Sequence, residues 1–133
     1  PLIRLFIWRI NNLSSLEILK IAANAINSKK GKDINAVRVE DLTVLCEYFL
    51  ICSGGSSTQV RALADEVEAK LKEADVMPHH IEGKASGWIA LDYGSVVVHV
   101  FGYKEREFYA LDKMWADAEQ INLDTILEET IGD

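Results

Sequence analysis

The fold of this chain is decided by residues 91–101, which read Leu-Asp-Tyr-Gly-Ser-Val-Val-Val-His-Val-Phe. Asp92 and Gly94 favour a tight reversal, because glycine adopts a positive φ without steric cost. The β-branched residues that follow occupy consecutive positions, so this strand presents apolar side chains on both faces and belongs at the centre of a sheet. The preceding residues 87–91 read as its antiparallel partner, joined to it by a turn over 92–95.

Predicted helices and strands alternate through the rest of the chain. Ser14 and Glu17 form a capping-box pattern that predicts a helix start, and residues 28–31 are expected to end that helix with lysines and a glycine cap. The further expected strands are 34–39, 48–53 and 76–82, and the further expected helices are 59–74, 105–115 and 122–129. This order predicts a single α/β domain whose mixed sheet of about five strands contains the antiparallel hairpin and is covered by helices.

The composition favours a protein partner over nucleic acid or membrane. The 133 residues include 21 acids against 14 lysines and arginines, and the net charge of −7 opposes broad contact with phosphates. A basic protein partner suits this charge better. No apolar run approaches the roughly 20 residues that a membrane span requires. Two cysteines are too few for a disulfide scaffold and no signal peptide is recognisable, so we expect a cytoplasmic protein.

One loop invites a catalytic interpretation. Residues 54–58 read Gly-Gly-Ser-Ser-Thr between a predicted strand and a predicted helix, where backbone N–H groups can hold a phosphate. The lysine of a Walker motif and the glycines of a dinucleotide fingerprint are not there. A serine or threonine cap of the following helix explains the same residues, and we favour that structural interpretation.

Neither the carboxylates nor the histidines form a recognisable catalytic or metal set. The loop is similar to that of nucleotidyltransferases, which hold magnesium between a Gly-Ser turn and strand-borne carboxylates. The comparable acids here read as the solvated face of a helix: Asp65, Glu66 and Glu68. His79 and His80 are neighbours on a predicted strand, so their side chains point to opposite faces and cannot chelate one ion, while His99 reads as a hydrogen-bonded core histidine. We predict no catalytic residue, cofactor or metal, and a nucleotidyltransferase-like enzyme stays an alternative.

Trp88 is the candidate for a binding surface. Strand alternation places Trp88, Ala90 and Asp92 on one side of their strand, opposite the side that holds Ile, Leu and Tyr. An exposed tryptophan beside a carboxylate is typical of an interface anchor. The residues alone favour this interpretation and a buried core tryptophan equally.

Two blocks of sequence resemble the ribosomal silencing factor family, also called Iojap. One block is the hairpin, with Glu82-Gly83 before it and residues 104–111 after it. The other is residues 48–60, which read Tyr-Phe-Leu-Ile-Cys-Ser-Gly-Gly-Ser-Ser-Thr-Gln-Val. The resemblance covers roughly residues 16–115, and it implies a nucleotidyltransferase-like topology without enzymatic activity.

The resemblance also implies a partner and a site. Members bind the fourteenth large-subunit ribosomal protein and sterically block joining of the ribosomal subunits, and they commonly form homodimers when free. The partner-binding residues that we expect are Trp88, Asp92, Tyr93 and Glu82. Residues 14–133 would form the silencing-factor domain with a helical C-terminal tail, and residues 1–13 an extension. The alternative is a homodimeric interaction module of another pathway.

Overall fold

The computed structural model describes residues 13–43 and 46–128. Its helices are α1 (Ser15–Ser28), α2 (Ser57–Glu73), α3 (Tyr103–Tyr109) and α4 (Leu111–Met114), and a 3₁₀ turn spans Leu123–Thr125. Its strands are β1 (Lys32–Arg38), β2 (Tyr48–Gly54), β3 (His80–Glu82), β4 (Trp88–Asp92), β5 (Val96–Gly102) and β6 (Glu119–Gln120). Within the described ranges, no helix combines the length and apolar character needed to cross a membrane.

The strands form one mixed sheet in the order β3-β4-β5-β2-β1-β6. The central strands β2 and β5 are parallel, and every other neighbouring pair is antiparallel. The hairpin β4–β5 forms as the sequence predicts, with Leu91 opposite Val98. The α/β fold class is confirmed, and the two-residue strand β6 brings the sheet to six strands.

One face of the sheet is closed by the two long helices, and we call it the helical face. Val96, Val98 and Val100 of β5 are fully buried there beneath α1 and α2. Both helices contribute a stripe of apolar residues at helical spacing, which includes Leu19, Ala22, Ile26, Val60, Leu63 and Val67. This face therefore holds the main hydrophobic core.

The opposite face of the sheet carries aromatic side chains, and we call it the aromatic face. Ile51 and Phe101 are its buried centre together with Leu111. Phe49, Trp88 and Trp115 pack around that centre and are only partly buried. The short helices α3 and α4 pack on this face, and Phe49, Trp88 and Val97 stay partly exposed.

Helix α1 begins as predicted and ends slightly differently. The hydroxyl of Ser14 accepts a hydrogen bond from the Glu17 N–H at 3.2 Å, and the Glu17 carboxylate reaches back to the Ser14 N–H, which completes the capping box. The left-handed residue at the other end is Lys30, with φ of 61°, and not the expected glycine. Gly31 is needed for a different reason, because a Cβ there would collide with the Ile26 side chain.

The predicted helix over 105–115 is wrong, because the chain breaks it at Ala110. This residue has φ of 50° and ψ of 40°, a left-handed conformation that separates α3 from α4. In a continuous helix, Phe108 would share one side with Leu111 and Trp115, at positions i, i+3 and i+7; here it is instead the most exposed large apolar residue described. A helical periodicity assumes one continuous axis, which this segment does not have.

Two further elements are shorter than predicted. The expected strand over 76–82 forms only at His80–Glu82, where it pairs with β4 at the edge of the sheet. The expected helix over 122–129 is a single 3₁₀ turn, which the Asn122 side chain caps. The last residue of the expected helix lies outside the described residues. Residues 1–12 and 129–133 also lie outside them, so the N-terminal extension and the extent of the tail stay predictions.

Candidate partner-binding surface

Trp88 lies half-buried on the aromatic face, between a buried core residue and a helix residue. Its ring is stacked on Phe101 with centroids 4.9 Å apart and contacts Tyr109 at 4.6 Å. Its indole N–H donates to Nδ1 of His99 at 3.1 Å. These contacts fix the ring while leaving part of it accessible. The sequence left open whether this ring is exposed or buried, and the structure shows it half-buried; its role as an interface anchor stays a prediction.

His99 is the hydrogen-bonded core histidine that the sequence predicts. Its side chain is 7% exposed, and its ring packs edge-to-face on Phe49 with centroids 4.9 Å apart. Burial lowers the pKa of His99 to about 4, against the weaker opposing effect of the Asp92 charge. The ring is therefore neutral near pH 7, and because Nδ1 accepts from Trp88, Nε2 carries the proton. Nε2 has no hydrogen-bond partner among the described residues.

Helix α3 extends the surface beyond the hairpin. Tyr109, which contacts the Trp88 ring, is 49% exposed, and Phe108 is 81% exposed. The Phe108 and Tyr109 rings meet edge-on at 5.1 Å. Phe108, Tyr109 and Trp88 thus form one continuous patch, which we call the aromatic surface. Sequence reasoning missed its first two members, although adjacent aromatics on a helix point about 100° apart and cannot both face one core.

Acidic side chains flank this surface on the two outer strands. Glu82 on β3 pairs with Ala90 on β4, and His80 pairs with Asp92. Directly paired residues share a face, so Glu82 and Asp92 lie on the same side of the sheet as Trp88. One Asp92 oxygen accepts from the Gly94 N–H at 2.8 Å, and the other lies 3.4 Å from Nε2 of His80. Glu82 is exposed and Asp92 is partly exposed.

Tyr93 does not belong to this surface. It lies on the helical face at 5% exposure and is part of the main core. Burial, with a smaller contribution from the Glu68 charge, raises the pKa of its phenol well above the usual value. The phenol oxygen has no hydrogen-bond partner among the described residues. Strand alternation accounts for this placement, because Tyr93 follows Leu91 by two positions and so faces the same core.

The loop over 54–58 forms a helix cap in the structure. The Gly55 N–H donates to the Gln59 side chain, and the Gln59 N–H donates to the Ser56 hydroxyl at 3.1 Å. These two backbone donors are therefore engaged in capping the helix, as the structural interpretation of this loop predicts. Across residues 13–43 and 46–128, no three or more His, Cys, Asp or Glu side chains are grouped so that they could hold a metal ion.

The cysteines offer no reactive thiol at this site. Both are free, and both are buried. Burial raises the pKa of Cys52 to about 12 and that of Cys46 to about 11, so both stay protonated near neutral pH. Cys52 packs in the main core as a small apolar residue.

The chain is similar to known proteins over most of its length. Residues 12–132 match a family model described as ribosomal silencing factor during starvation. The chain is 41% identical over 113 residues to a ribosomal silencing factor of Bacillus subtilis, covering 84% of this chain and 96% of the relative. It is 30% identical over 116 residues to the chloroplastic protein Iojap of Arabidopsis thaliana, covering 82% of this chain and 44% of that one. The crystal structure of a Chromobacterium violaceum protein superposes with a TM-score of 0.77 at 37% identity, covering 83% of this chain and 91% of that one.

Proposed function

We propose that this chain, which belongs to the ribosomal silencing factor family, represses translation by binding the large ribosomal subunit and keeping the small subunit from joining it. The partner we infer is the fourteenth large-subunit ribosomal protein, as the family resemblance implies. The observation that carries the proposal is the aromatic surface, an accessible patch of fixed rings flanked by acids.

The rings of this surface have the properties of interface anchors. Tryptophan and tyrosine contribute most of the binding energy in many interfaces, because they bury a large area with few rotatable bonds. Trp88 is already held by Phe101 and His99, so a partner that covers it loses little further side-chain entropy. Such a preorganised patch favours a folded protein partner with a matching apolar pocket.

The charge of the chain favours a basic partner. The net charge is −7, and Glu82 and Asp92 place carboxylates beside the rings. Ribosomal proteins are basic as a class, so complementary charge would speed association and orient the approach. The same charge disfavours direct contact with ribosomal RNA, and we infer that such contact is minor.

The mechanism requires no chemistry. A protein bound where the two subunits normally meet excludes the small subunit for as long as it stays bound, and the silenced fraction follows from its concentration relative to the dissociation constant. We therefore infer a non-enzymatic regulator without a cofactor. We also infer that it acts in the cytoplasm and that the free protein is a homodimer, which light scattering coupled to size exclusion would test.

The experiment is sedimentation with purified ribosomal subunits. The protein should sediment with free large subunits and not with small ones, and it should slow subunit joining measured by light scattering. Trp88→Ala should weaken large-subunit binding by roughly 30-fold or more, because it removes the central anchor. Trp88→Phe keeps an aromatic ring but loses the N–H donor to His99, so it separates ring contact from the hydrogen bond.

Loss of stability needs its own control, because Trp88 is half-buried and its truncation also costs folding free energy. Ile89→Val is the matched variant: Ile89 is the next residue on β4, is fully buried on the helical face and should lose about 1 kcal/mol of stability without altering the aromatic surface. It should bind as the wild type does. Equal sedimentation with both subunits, or wild-type binding by Trp88→Ala, would overturn the proposal.

A further inference from the structure

Helix α3 carries two of the three residues of the aromatic surface but has little packing of its own. None of its seven residues, all of them described, is buried. A helix of this length is not stable in isolation. The residue that ends it, Ala110, has φ of 50°, a left-handed conformation that is unfavourable for alanine. Specific contacts must therefore hold α3 on the sheet.

Arg106 makes those contacts. Its Nε and Nη2 donate to the two carboxylate oxygens of Asp112, at 3.1 and 2.9 Å, in a bidentate pair. Its Nη1 donates to the backbone oxygen of Asp33 at 2.6 Å and to the hydroxyl of the fully buried Ser53 at 2.9 Å. One side chain thus ties α3 to α4, to β1 and to β2.

Asp112 is well suited to hold this guanidinium. Burial acts to raise the pKa of Asp112, but the hydrogen bonds and charge of Arg106, with help from the Asn35 side chain, outweigh it and hold the pKa below its usual value. The pair is therefore charged near neutral pH. Bidentate pairs of arginine and carboxylate are directional, so this one restricts the orientation of α3 as well as its distance from the sheet.

We propose that Arg106 and Asp112 are positioning residues that present Tyr109 beside Trp88 for the ribosomal partner, an inference that rests on the proposed function. Arg106 and Tyr109 are three residues apart on α3 and lie on neighbouring parts of its surface. The Arg106 side chain is only 16% exposed, so it acts through Tyr109 rather than by touching the partner. Without the pair, α3 loses its fixed orientation and the Tyr109 ring leaves Trp88.

A double-mutant cycle on large-subunit binding tests this role. Arg106→Gln should weaken binding about fivefold to tenfold, and Tyr109→Ala should weaken it at least as much. In the Tyr109→Ala background, Arg106→Gln should have almost no further effect, because the residue through which it acts is gone. Lys104→Gln is the matched control, since it removes one positive charge from an exposed position on the same helix and should bind as the wild type does.

A second readout does not involve the ribosome. The indole N–H signal of Trp88, identified in the NMR spectrum by its disappearance in Trp88→Phe, should shift in Arg106→Gln and in Asp112→Asn but not in Lys104→Gln. If that signal shifts while Trp88→Ala and Tyr109→Ala bind normally, the positioning of α3 stands and the proposed docking surface fails.

Three results would overturn the inference. These are an unshifted Trp88 signal in Arg106→Gln, wild-type binding by Arg106→Gln when Tyr109→Ala binds weakly, and an equal loss of binding from Arg106→Gln in the presence and absence of the Tyr109 side chain. Should Arg106→Gln fail to fold, Asp112→Asn decides by the same readouts, because it leaves the bonds from Arg106 to Asp33 and Ser53 in place.

Discussion

The two faces of the sheet are closed in different ways. On the helical face, α1 and α2, of 14 and 17 residues, lay long apolar stripes over aliphatic strand residues. On the aromatic face, α3 and α4 have seven and four residues, and polar contacts from Arg106 hold them. Apolar packing is non-directional and closes a face completely, whereas a short helix held at one point leaves sheet surface open.

This difference separates the residues that stabilise the fold from the surface that we propose binds a partner. The helical face holds most of the fully buried residues, so it accounts for most of the free energy of folding. The aromatic face keeps Trp88 and Val97 partly accessible, and Trp88 is held in place by its stacking on Phe101. An accessible and rigid apolar patch on a folded protein is typical of an interaction site. Substitutions on the two faces should therefore have different consequences.

The largest expected effect comes from a charge on the helical face. Val98→Asp buries a carboxylate in the centre of the main core and should destabilise the fold by about 4 kcal/mol or more, leaving the protein unfolded or insoluble. Val97→Asp is the matched control, because Val97 is the adjacent residue, points to the aromatic face and is only partly buried. Val97→Asp should fold and lose much less unfolding free energy than Val98→Asp. If urea titrations show that both variants lose the same unfolding free energy, the two faces do not differ in their contribution to stability.

The next effect is a pH dependence that arises on the aromatic face. The pKa of His99 is about 4 in the folded protein and near 6.5 when unfolded, so the unfolded chain binds the proton more readily between these values. Stability should therefore fall as the pH drops from 6.5 towards 4, by about 3 kcal/mol from this group.

His99→Gln isolates that contribution, because glutamine can still accept from Trp88 but does not titrate. Unfolding free energies of both proteins are measured in urea from pH 7 to pH 4. As the pH falls, the wild type should lose more unfolding free energy than the variant. A difference that stays constant across this range would mean that His99 is not buried in its neutral form.

The smallest expected effect concerns charge beside the rings. Asp92→Lys should weaken large-subunit binding by roughly threefold to tenfold, mainly through slower association, because it opposes a basic partner. Asp92→Asn keeps an oxygen that can accept from the Gly94 N–H and should have a milder effect. Association rates measured at two salt concentrations check the cause: the difference between Asp92→Lys and wild type should shrink at higher salt. A difference that is insensitive to salt would point to a local change in the hairpin instead.

Much of the fold could be predicted because its signals are local. The capping box at Ser14, the alternation along β4 and the valines of β5 each depend on residues within one or two turns or strand steps. The break at Ala110 could not be predicted in the same way. It is stabilised by the contact of Arg106 with Asp33 and Ser53, which lie more than fifty residues earlier in the chain.

The same contrast between local signals and distant contacts applies to the candidate site. The sequence by itself determined that Trp88 and Asp92 share one side of β4 and that Tyr93 takes the other, because alternation is a property of the extended backbone. Only the tertiary structure decided how deeply Trp88 is buried and that Tyr109 and Phe108 join it, since those contacts come from segments that meet after folding. How deeply a side chain is buried depends on distant segments of the chain, so a local sequence pattern cannot predict it.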